Sequence, residues 1–396
     1  MKPIKACIIG TGFVGLAHIE AVRRLGFVEV AALVEPDAKS AEAHARELGI
    51  PRWYTHYEEM LQDREIQVVH NCTPNHLHFP INREVILAGK HILSEKPLAI
   101  STEETRELLR LAREYKVVHG VNFNYRQYPI IKQLAYMVQN GDLGNVHLLH
   151  GSYLQDWLLL ETDYNWRLDP AIGGESRAVA DIGSHWCDTV QYVTGQKITR
   201  VCADLATVLP VRMKPARKKD TYERQEAGEE AGEEAGEEPE GEPVAVSTED
   251  YASVLLQFDG GGKGAFTVSQ VSAGRKNRLT FELAGSLKSA FWNQEEPEKL
   301  WVGHRDRPNE ILLSDPALFA PEALSAPHYP GGHNEGWPDS LRNMMFHFYS
   351  FIRAGKDPLR DKGDFATFAD GHRSMCITDA VLASHRAGGW VEVHCD

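Results

Sequence analysis

The stretch that decides the fold is "IKACIIGTGFVGLAHIEAVRRLG", residues 4–26, in which an apolar run meets a glycine-rich turn and then a helical pattern. The three glycines have separate tasks: Gly10 permits a tight turn, Gly12 lets the backbone approach a pyrophosphate, and Gly15 lets the helix pack closely on the strand. The amino terminus of the helix then faces the phosphates. A strand, this turn and a helix in this order predict a dinucleotide-binding unit.

An acidic residue completes this fingerprint twenty residues after the last glycine, because Glu35 ends the run "VEVAALVE" at 28–35. A carboxylate there accepts hydrogen bonds from ribose hydroxyls and repels a 2′-phosphate. We therefore expect NAD rather than NADP, with Arg52 as a nearby base that could still neutralise a phosphate. The residues predicted to contact the cofactor in this region are Gly10, Thr11, Gly12, Phe13, Val14, Gly15 and Glu35.

The fold class follows from the alternation of short apolar runs with helical patterns, which is typical of βαβ units and a parallel sheet. Residues 1–125 are predicted to form an α/β Rossmann domain with a doubly wound parallel sheet. Residues 126–396 are predicted to form an α+β substrate and oligomerisation domain with a large, mostly antiparallel sheet. A last helix at 365–387 is expected to pack back toward the first domain. The predicted strands of the first domain lie near 4–10, 28–35, 68–73, 91–95 and 117–123, and its helices at 14–25, 38–48, 75–88 and 102–115.

Composition indicates a foldable chain: 396 residues with 42% hydrophobic content exceed one ordinary core. No apolar stretch approaches the roughly 18 to 20 residues of a membrane span, and no signal-peptide pattern opens the chain, so we expect a cytoplasmic protein. The six cysteines lie far apart without a C-x-x-C pair. This spacing predicts reduced thiols, with neither a disulfide framework nor a metal site.

The net charge of −14 is concentrated in one segment. Residues 220–243 hold eleven acidic residues and one arginine, a net charge of −10, which leaves −4 for the rest of the chain. The segment contains the repeat "EAGEEAGEEAGEE", whose self-repulsion and glycines predict a disordered insertion; an interaction tail and a Glu-rich helix are the alternatives. With little charge elsewhere and no basic stripe, nucleic acid is not expected as a partner.

Two loops follow predicted strands of the first domain, at the edge where a doubly wound sheet binds its ligand. In "HILSEKPLAI", residues 91–100, Glu95 and Lys96 come directly after an apolar run. A charged pair there is costly unless something uses it, so it is either functional or an ion pair at the sheet edge.

The loop "NCTPNHLH", residues 71–78, is expected to lie over the nicotinamide half of the cofactor, with Thr73 and Pro74 at the strand end. Asn75 and His78 either cap the following helix or contact the dinucleotide. The loop contains two histidines, His76 and His78, but no carboxylate near them, so no metal site is predicted here.

A polar pair and an aromatic segment stand out in the second domain. The stretch 175–194 is predicted to be one helix closed by Gly195, on which Asp181 and His185 share a face because they are four residues apart. A buried structural pair is the alternative. Just before it, aromatic and basic side chains could stack on sugar rings and orient hydroxyls, or form an ordinary aromatic core; they are Trp157, Tyr164, Trp166 and Arg167.

Taken together, these motifs resemble the Gfo/Idh/MocA oxidoreductases, which include glucose-fructose oxidoreductase and inositol dehydrogenases. The resemblance covers nearly all of the chain apart from the acidic insertion. It is carried by "GTGFVG", "CTPNHLH", "SEKPLA", "NFNYR", "DIGSHWCD" and the closing stretch from "ADGHRSMC" to "GGWVEV".

The resemblance implies catalytic roles for three residues. Lys96 lies beside the nicotinamide and the reacting carbon, with Glu95 as its neighbour at the cofactor. Asp181 and His185 hold the hydroxyls of a sugar or cyclitol, and the imidazole suits proton transfer near neutral pH. A lysine can take a proton only if its pKa falls, and both burial and the charge of oxidised nicotinamide act in that direction.

The resemblance also implies further contacts and an assembly. Trp166 and Arg167 are expected to reach the nicotinamide, and the exposed face of the second sheet to form a homodimer or homotetramer. From their positions in the chain, Asn124 is a candidate cofactor contact, while Trp157, Tyr125 and His333 are candidate substrate contacts.

The leading functional prediction is an NAD-dependent dehydrogenase that oxidises a secondary hydroxyl of a sugar, anhydrosugar or cyclitol. An NAD-dependent glycosidase of the same fold and a non-catalytic dinucleotide-sensing regulator are the alternatives. Lys96, Asp181 and His185 together weigh against the regulator, because a sensor needs no proton-transfer set.

Overall fold

The computed structural model describes residues 2–215 and 241–395. Most of the predicted disordered insertion, 220–243, therefore lies outside the described residues. Its last three residues, 241–243, are described, and Glu242 and Pro243 belong to a strand that pairs with residues 211–214 in antiparallel fashion. This strand therefore begins inside the predicted insertion, and Pro243 lies in a two-stranded edge where a missing amide is tolerated.

The first sheet has six parallel strands in the order β3-β2-β1-β4-β5-β6, as the alternating pattern predicts. The strand order reverses between β1 and β4, so a crevice opens at the carboxyl ends of these two strands. The elements of this region are β1 Ile4–Ile9, α1 Phe13–Arg23, β2 Val28–Val34, α2 Ala38–Glu47, β3 Trp53–Tyr54, α3 Tyr57–Leu61, β4 Val68–Asn71, α4 His78–Leu87, β5 His91–Ser94, α5 Thr102–Tyr115 and β6 His119–Val121.

In the part of the chain that the structure describes, the second sheet has nine strands in the order β16-β15-β14-β13-β7-β12-β11-β8-β17. Every pair is antiparallel except β12 with β7, so the predicted α+β domain with a mostly antiparallel sheet is confirmed. The elements of this region are α6 Pro129–Gln139, β7 Val146–Leu154, α7 Pro170–Gly173, α8 Ser184–Thr194, β8 Ile198–Ala206, β9 Val211–Lys214, β10 Glu242–Ala245, β11 Tyr251–Phe258, β12 Lys263–Ser269, β13 Arg278–Gly285, β14 Ser289–Asn293, β15 Lys299–Gly303, β16 Glu310–Leu313, α9 Trp337–Arg353, α10 Phe368–Ala387 and β17 Val391–Glu392.

Alternation along each strand of the second sheet separates a buried face from an outer face. In β11, Val254 and Leu256 are buried whereas Leu255 between them is 50% exposed. The inner face packs against helices, and Trp186 of α8 stacks on Phe266 of β12 with ring centroids 4.7 Å apart. The core of this domain therefore lies between the sheet and α6 and α8.

The C-terminal part of the chain returns to the first domain. Phe348 of α9 belongs to the same apolar cluster as Ile19 of α1, and the Phe368 amide at the start of α10 donates to His119 of β6 at 3.0 Å. The two sheets are separate, since the first ends at Val121 and the second begins at Val146, but the apolar cluster around Ile19 includes residues from both parts of the chain. Among the described residues, no helix has the length and apolar character needed to cross a bilayer.

The helix predicted over 175–194 is not continuous. It opens with a π-helical turn, Val179–Gly183, and becomes α-helical only from Ser184. A carboxylate from elsewhere in the chain caps this end of the helix: Glu249 accepts hydrogen bonds from the amides of Arg177 and Val179, at 2.9 and 3.0 Å. The amides of a first helical turn have no partner inside the helix, so Glu249 satisfies two of them.

The prediction that all six thiols are reduced was wrong for one pair. Cys376 on α10 and Cys395 form a disulfide with Cα atoms 5.8 Å apart. The pairing arises because the end of the chain runs back beside α10 along β8, where the Val393 amide donates to the Thr199 carbonyl at 2.8 Å. The spacing of the cysteines along the sequence does not predict this contact. The free cysteines among the described residues are Cys7, Cys72, Cys187 and Cys202.

Candidate active site

The glycine-rich loop after β1 has the geometry that a dinucleotide requires. Gly10 has φ of +87°, and a Cβ there would lie 2.8 Å from the Cys72 carbonyl oxygen; a Cβ at Gly15 would lie 2.0 Å from the Gly10 oxygen. These two glycines are demanded by the fold itself. A Cβ at Gly12 would meet nothing within 4 Å, so the backbone there is open to a pyrophosphate, and the loop fits the cofactor.

Glu35 lies at the end of β2 and reaches the same loop. Its Oε1 accepts hydrogen bonds from both the amide and the hydroxyl of Thr11, whose hydroxyl oxygen also lies 2.6 Å from Nδ1 of His44 on α2. The carboxylate is thus placed beside the glycine loop, where the fingerprint requires a ribose-binding acid. No sequence motif indicated that His44 would lie beside this loop. Phe13 and Val14 begin α1 next to the loop, and Phe13 is 49% exposed.

The loop after β4 is held by its own side chains. The Asn71 Oδ1 accepts from the Thr73 hydroxyl at 2.7 Å, while His78 lies between two carbonyls, with Nδ1 2.6 Å from Pro97 and Nε2 2.8 Å from Thr73. Both ring nitrogens of His78 are therefore occupied within the protein. The alternative that His78 caps the helix is wrong, because the ring bridges the loops after β4 and β5. A cofactor contact by His78 stays a prediction.

Asn75 also links two parts of the chain rather than capping a helix. Its Nδ2 donates to the Gly173 carbonyl at 2.8 Å, which joins the turn after Pro74 to the second domain. The first helical turn needs no side-chain cap at this point, because Asn75 and its two successors form a short 3₁₀ turn before α4 begins. A cofactor contact by Asn75 stays a prediction.

Lys96, at the end of β5, pairs across the domain boundary. Its Nζ donates to Oδ1 of Asp181 at 2.7 Å and to the Asp181 carbonyl at 2.8 Å. The alternative of an ion pair with Glu95 is wrong. Glu95 is buried and accepts from His18 Nε2 at 2.9 Å and Asn122 Nδ2 at 2.6 Å.

These contacts set the charge of Glu95. Burial alone would raise its pKa, but the bond to His18 and the charges of His18 and Lys96 outweigh burial and lower the pKa to about 2. Glu95 is therefore an anion beneath the loop. His18 continues the network to His70, with the two Nδ1 atoms 2.9 Å apart.

Asp181 lies in the π-helical turn at the same cleft. Its Oδ1 receives Lys96 and lies 3.7 Å from Nε of Arg167, while its Oδ2 accepts from Gln270 Nε2 at 2.9 Å. Burial would raise the pKa of Asp181, but the charges of Lys96 and Arg167 hold it well below its usual range. The carboxylate is thus ionised and bonded at both oxygens.

His185 lies one turn further along the helix, against the first domain. Its ring centroid is 4.7 Å from that of Tyr125 and 5.7 Å from that of Phe123. Burial and the nearby Lys96 charge lower the pKa of His185 to about 3, so the ring is neutral near pH 7. Within residues 2–215 and 241–395, its buried Nδ1 has no hydrogen-bond partner.

In the aromatic segment, Arg167 lies next to Asp181. The Arg167 guanidinium lies over the Trp166 ring at 4.2 Å and near the Trp157 ring at 6.0 Å. Trp157 Nε1 donates to Gln155 Oε1 at 2.9 Å. Arg167 therefore lies between the aromatic rings and Asp181. The spacing of these residues in the sequence does not predict this arrangement.

Three other predicted site residues have hydrogen-bond partners within the protein. Asn124 is buried and donates to Ser340 Oγ on α9 at 2.8 Å, and Tyr125 packs on His185 while its hydroxyl lies 2.6 Å from that of Tyr153. His333 is exposed, with Nδ1 3.1 Å from the Pro330 carbonyl of its own loop. A substrate contact by His333 stays a prediction.

Sequence reasoning missed the polar residues behind the cleft. Gln270, which follows β12, and Arg177, which precedes the π-helical turn, are both buried and bonded to each other. Single polar residues beside strands carry no motif. Their only sequence signal is a charged or amide side chain next to otherwise apolar runs.

Comparison with known proteins gives the family. The family model for the oxidoreductase family with an NAD-binding Rossmann fold matches residues 4–123, and the model for the GFO/IDH/MocA C-terminal domain matches residues 131–291. The chain belongs to the GFO/IDH/MocA oxidoreductase family. It is an NAD(P)-dependent oxidoreductase with an NAD-binding Rossmann domain, as the motifs predict.

Individual relatives agree in length and fold. Levoglucosan dehydrogenase from Pseudarthrobacter phenanthrenivorans is 30% identical over 406 residues, which span 99% of each chain. A structure of levoglucosan dehydrogenase in complex with NADH and L-sorbose has a TM-score of 0.86 at 27% identity and covers 100% of both chains. An inositol dehydrogenase homolog from Azotobacter vinelandii complexed with NAD+ has a TM-score of 0.84 at 24% identity over 99% of this chain and 97% of its own, a likeness of fold.

Proposed function

We propose that the protein is an NAD-dependent dehydrogenase that oxidises a secondary hydroxyl of a sugar, an anhydrosugar or a cyclitol. One observation carries the proposal: the Lys96 ammonium, the Asp181 carboxylate and a neutral His185 converge where the two domains meet. These groups come from the end of β5 and from one helix of the second domain. A hydrogen-bond donor, its counter-ion and a proton acceptor are the set that alcohol oxidation needs.

The charges favour distinct roles for the three residues. Lys96 is held by an anionic partner, so it acts as a donor that binds and orients the substrate hydroxyl. His185 is neutral and takes the hydroxyl proton, and the nearby Asp181 carboxylate stabilises the imidazolium that results. NAD, when bound, supplies the acceptor for the hydride.

The surroundings suit a polyhydroxylated ring. Trp157 and Trp166 offer apolar faces, while Arg167 and Asp181 supply a donor and an acceptor beside them. Flat apolar faces flanked by a few oriented polar groups are what a carbohydrate pocket requires. The relative named for levoglucosan fits this substrate class.

Glu35 supports NAD as the cofactor in use. Its carboxylate faces the amide and hydroxyl of Thr11, so a 2′-phosphate would meet a negative charge at that point. Arg52, the base that could have neutralised such a phosphate, is instead engaged with Asp63 and Glu65.

The test is a panel of cyclitols, aldoses, anhydrosugars and nitrophenyl glycosides with NAD or NADP, followed at the absorbance of reduced nicotinamide. We expect reduction of NAD with a free sugar, anhydrosugar or cyclitol. Release of nitrophenol without net reduction would replace the proposal by a glycosidase, and tight NAD binding without turnover of any compound would replace it by a dinucleotide sensor.

The outer face of the second sheet supports a homodimer or homotetramer. Leu148, Leu255 and Ile311 are each at least 50% exposed, and the pairing register puts them on the same face. A broad sheet face with exposed apolar side chains is favourable to cover with a second copy of the chain.

A further inference from the structure

The second oxygen of the Asp181 carboxylate is held by a residue outside the proposed catalytic set. Gln270 is fully buried, and its Nε2 donates to Asp181 Oδ2 at 2.9 Å while its Oε1 accepts from Arg177 Nη1 at 2.8 Å. A guanidinium has only donors, so the atom that faces Arg177 must be the amide oxygen. The NH2 group must then face Asp181, and the amide has only one possible orientation.

Arg177 cannot move, because it is part of a buried charge cluster. Its Nη2 donates to Asp250 Oδ1, which also accepts from Arg212 Nη2 at 2.8 Å, while Asp250 Oδ2 accepts from the Leu209 amide at 3.0 Å. Side chains of all three charged residues are 0% exposed. Buried charges persist only when every member is bonded, so the geometry of this cluster is strongly determined.

The same cluster also holds the aromatic segment. Arg212 donates to the carbonyls of Leu158, Leu160 and Asp163, at 2.8, 2.8 and 3.1 Å. These carbonyls lie in the chain between Trp157 and Trp166. Gln270 is thus anchored to the cluster that also places the aromatic wall of the cleft.

We propose that Gln270 is a positioning residue for the reaction, which fixes the Asp181 carboxylate so that Lys96 and the substrate hydroxyl meet in the productive geometry. The inference rests on the proposed function. With one donor on each oxygen, the carboxylate plane cannot rotate. Without Gln270, Asp181 could turn and carry the Lys96 amine with it, and small displacements of a reacting group are costly in rate.

The test compares Gln270→Met, which keeps the length but removes both the donor to Asp181 and the acceptor for Arg177, with Gln270→Glu, which keeps the acceptor and donates only when protonated. The value of kcat/KM is measured from about pH 5 to about pH 9. Gln270→Met is expected to lose about 10- to 100-fold at every pH, the value of a hydrogen bond to a charged group. Gln270→Glu is expected to lose more than Gln270→Met at high pH, where its carboxylate has no donor and repels Asp181, and to lose less as the pH falls and the carboxyl regains its proton. Arg177, which donates to this position at 2.8 Å, shifts that change toward low pH.

A steric role predicts a different result, namely equal losses with parallel pH profiles in the two variants. That outcome, or a Gln270→Met enzyme within about twofold of the wild type, would overturn the proposal. Gln133→Glu is the matched control, since Gln133 is buried on α6 away from the cleft and accepts from the Ala320 amide at 2.8 Å. Its pH profile should match that of the wild type.

A second measurement does not depend on turnover. In Gln270→Glu, the Asp181 charge opposes ionisation of the new carboxyl, whereas Arg177, which donates to the same position at 2.8 Å, favours it. At about pH 8 the variant is expected to be less stable to urea than the wild type, because two carboxylates then face each other. This loss should be smaller when both enzymes also carry Asp181→Asn, whose amide can donate to the new carboxylate. An equal loss in both backgrounds would overturn the role of Gln270. An enzyme that oxidises no sugar but shows the smaller loss would instead overturn only the proposed function.

Discussion

The Lys96 amine lies 2.7 Å from Oδ1 of Asp181, so the end of a strand in the first domain is tied to a helix of the second. The two side chains are only 13% and 16% exposed. An ion pair this shielded is worth more than one at the surface, and loss of one partner leaves the other uncompensated. The same contact holds the two domains together and places two charged groups in the candidate site.

Removing the amine tests its role directly. Lys96→Ala is expected to lower kcat by at least about 100-fold, because the substrate hydroxyl loses its charged donor. NADH binding, measured by nicotinamide fluorescence, should persist, since the glycine loop is untouched. The control is Lys299→Ala, which removes a surface lysine paired with Glu296. Near wild-type turnover by Lys96→Ala with bound cofactor would contradict the role.

The prediction for His185 concerns both the rate of the reaction and the stability of the fold. The pKa of His185 is lowered to about 3 by burial and by Lys96, below the value of about 6.5 in an unfolded chain. The unfolded state therefore takes up the proton first as the pH falls, and the native state loses stability below about pH 6.5. His185→Asn should lose less stability between about pH 7 and pH 5 than the wild type.

Urea unfolding at the two pH values measures this difference, and the exposed His394 provides the control variant His394→Asn. The same His185→Asn enzyme should lose about 100-fold or more in kcat, the usual contribution of a general base. Equal acid sensitivity of His185→Asn and the wild type would mean that the imidazole is not buried as a neutral group.

Cofactor choice depends on one carboxylate. Glu35→Gln keeps the size of the side chain but removes the charge that opposes a 2′-phosphate, so the ratio of NADP to NAD affinity is expected to rise about tenfold or more. Titration of both nucleotides by fluorescence measures it. Glu47→Gln, on the exposed side of α2, should leave the ratio unchanged; an unchanged ratio in Glu35→Gln itself would argue that another group sets the preference.

Assembly is tested on the outer sheet face. Leu255→Arg adds a charge at the middle of that face and is expected to shift a dimer or tetramer to monomers, as measured by sedimentation. Leu318, 62% exposed outside the sheet, gives the control Leu318→Arg. A wild-type monomer, or an oligomer that tolerates Leu255→Arg, would place the contact elsewhere.

Much of the first domain is predictable because its signals are local. The expected helix at 102–115 is observed as Thr102–Tyr115, and Ser101 caps it by accepting from the Glu104 amide at 3.2 Å. The strand Trp53–Tyr54 was missed because two residues show no period. The π-helical turn at Val179–Gly183 was missed because the helical pattern of this stretch does not mark it. The cap by Glu249 was missed because that residue lies about seventy residues away in the chain.

By itself, the sequence determined the order of strands and helices, the glycine turn, the acid at residue 35 and the presence of Lys96 at a strand end. Only the tertiary structure decided that Lys96 pairs with Asp181 rather than Glu95, that Gln270 holds the other oxygen, and that Cys376 meets Cys395. The physical reason is range: backbone periodicity and capping depend on neighbours along the chain. Ion pairs, amide orientation and thiol contacts depend instead on which distant segments packing brings together.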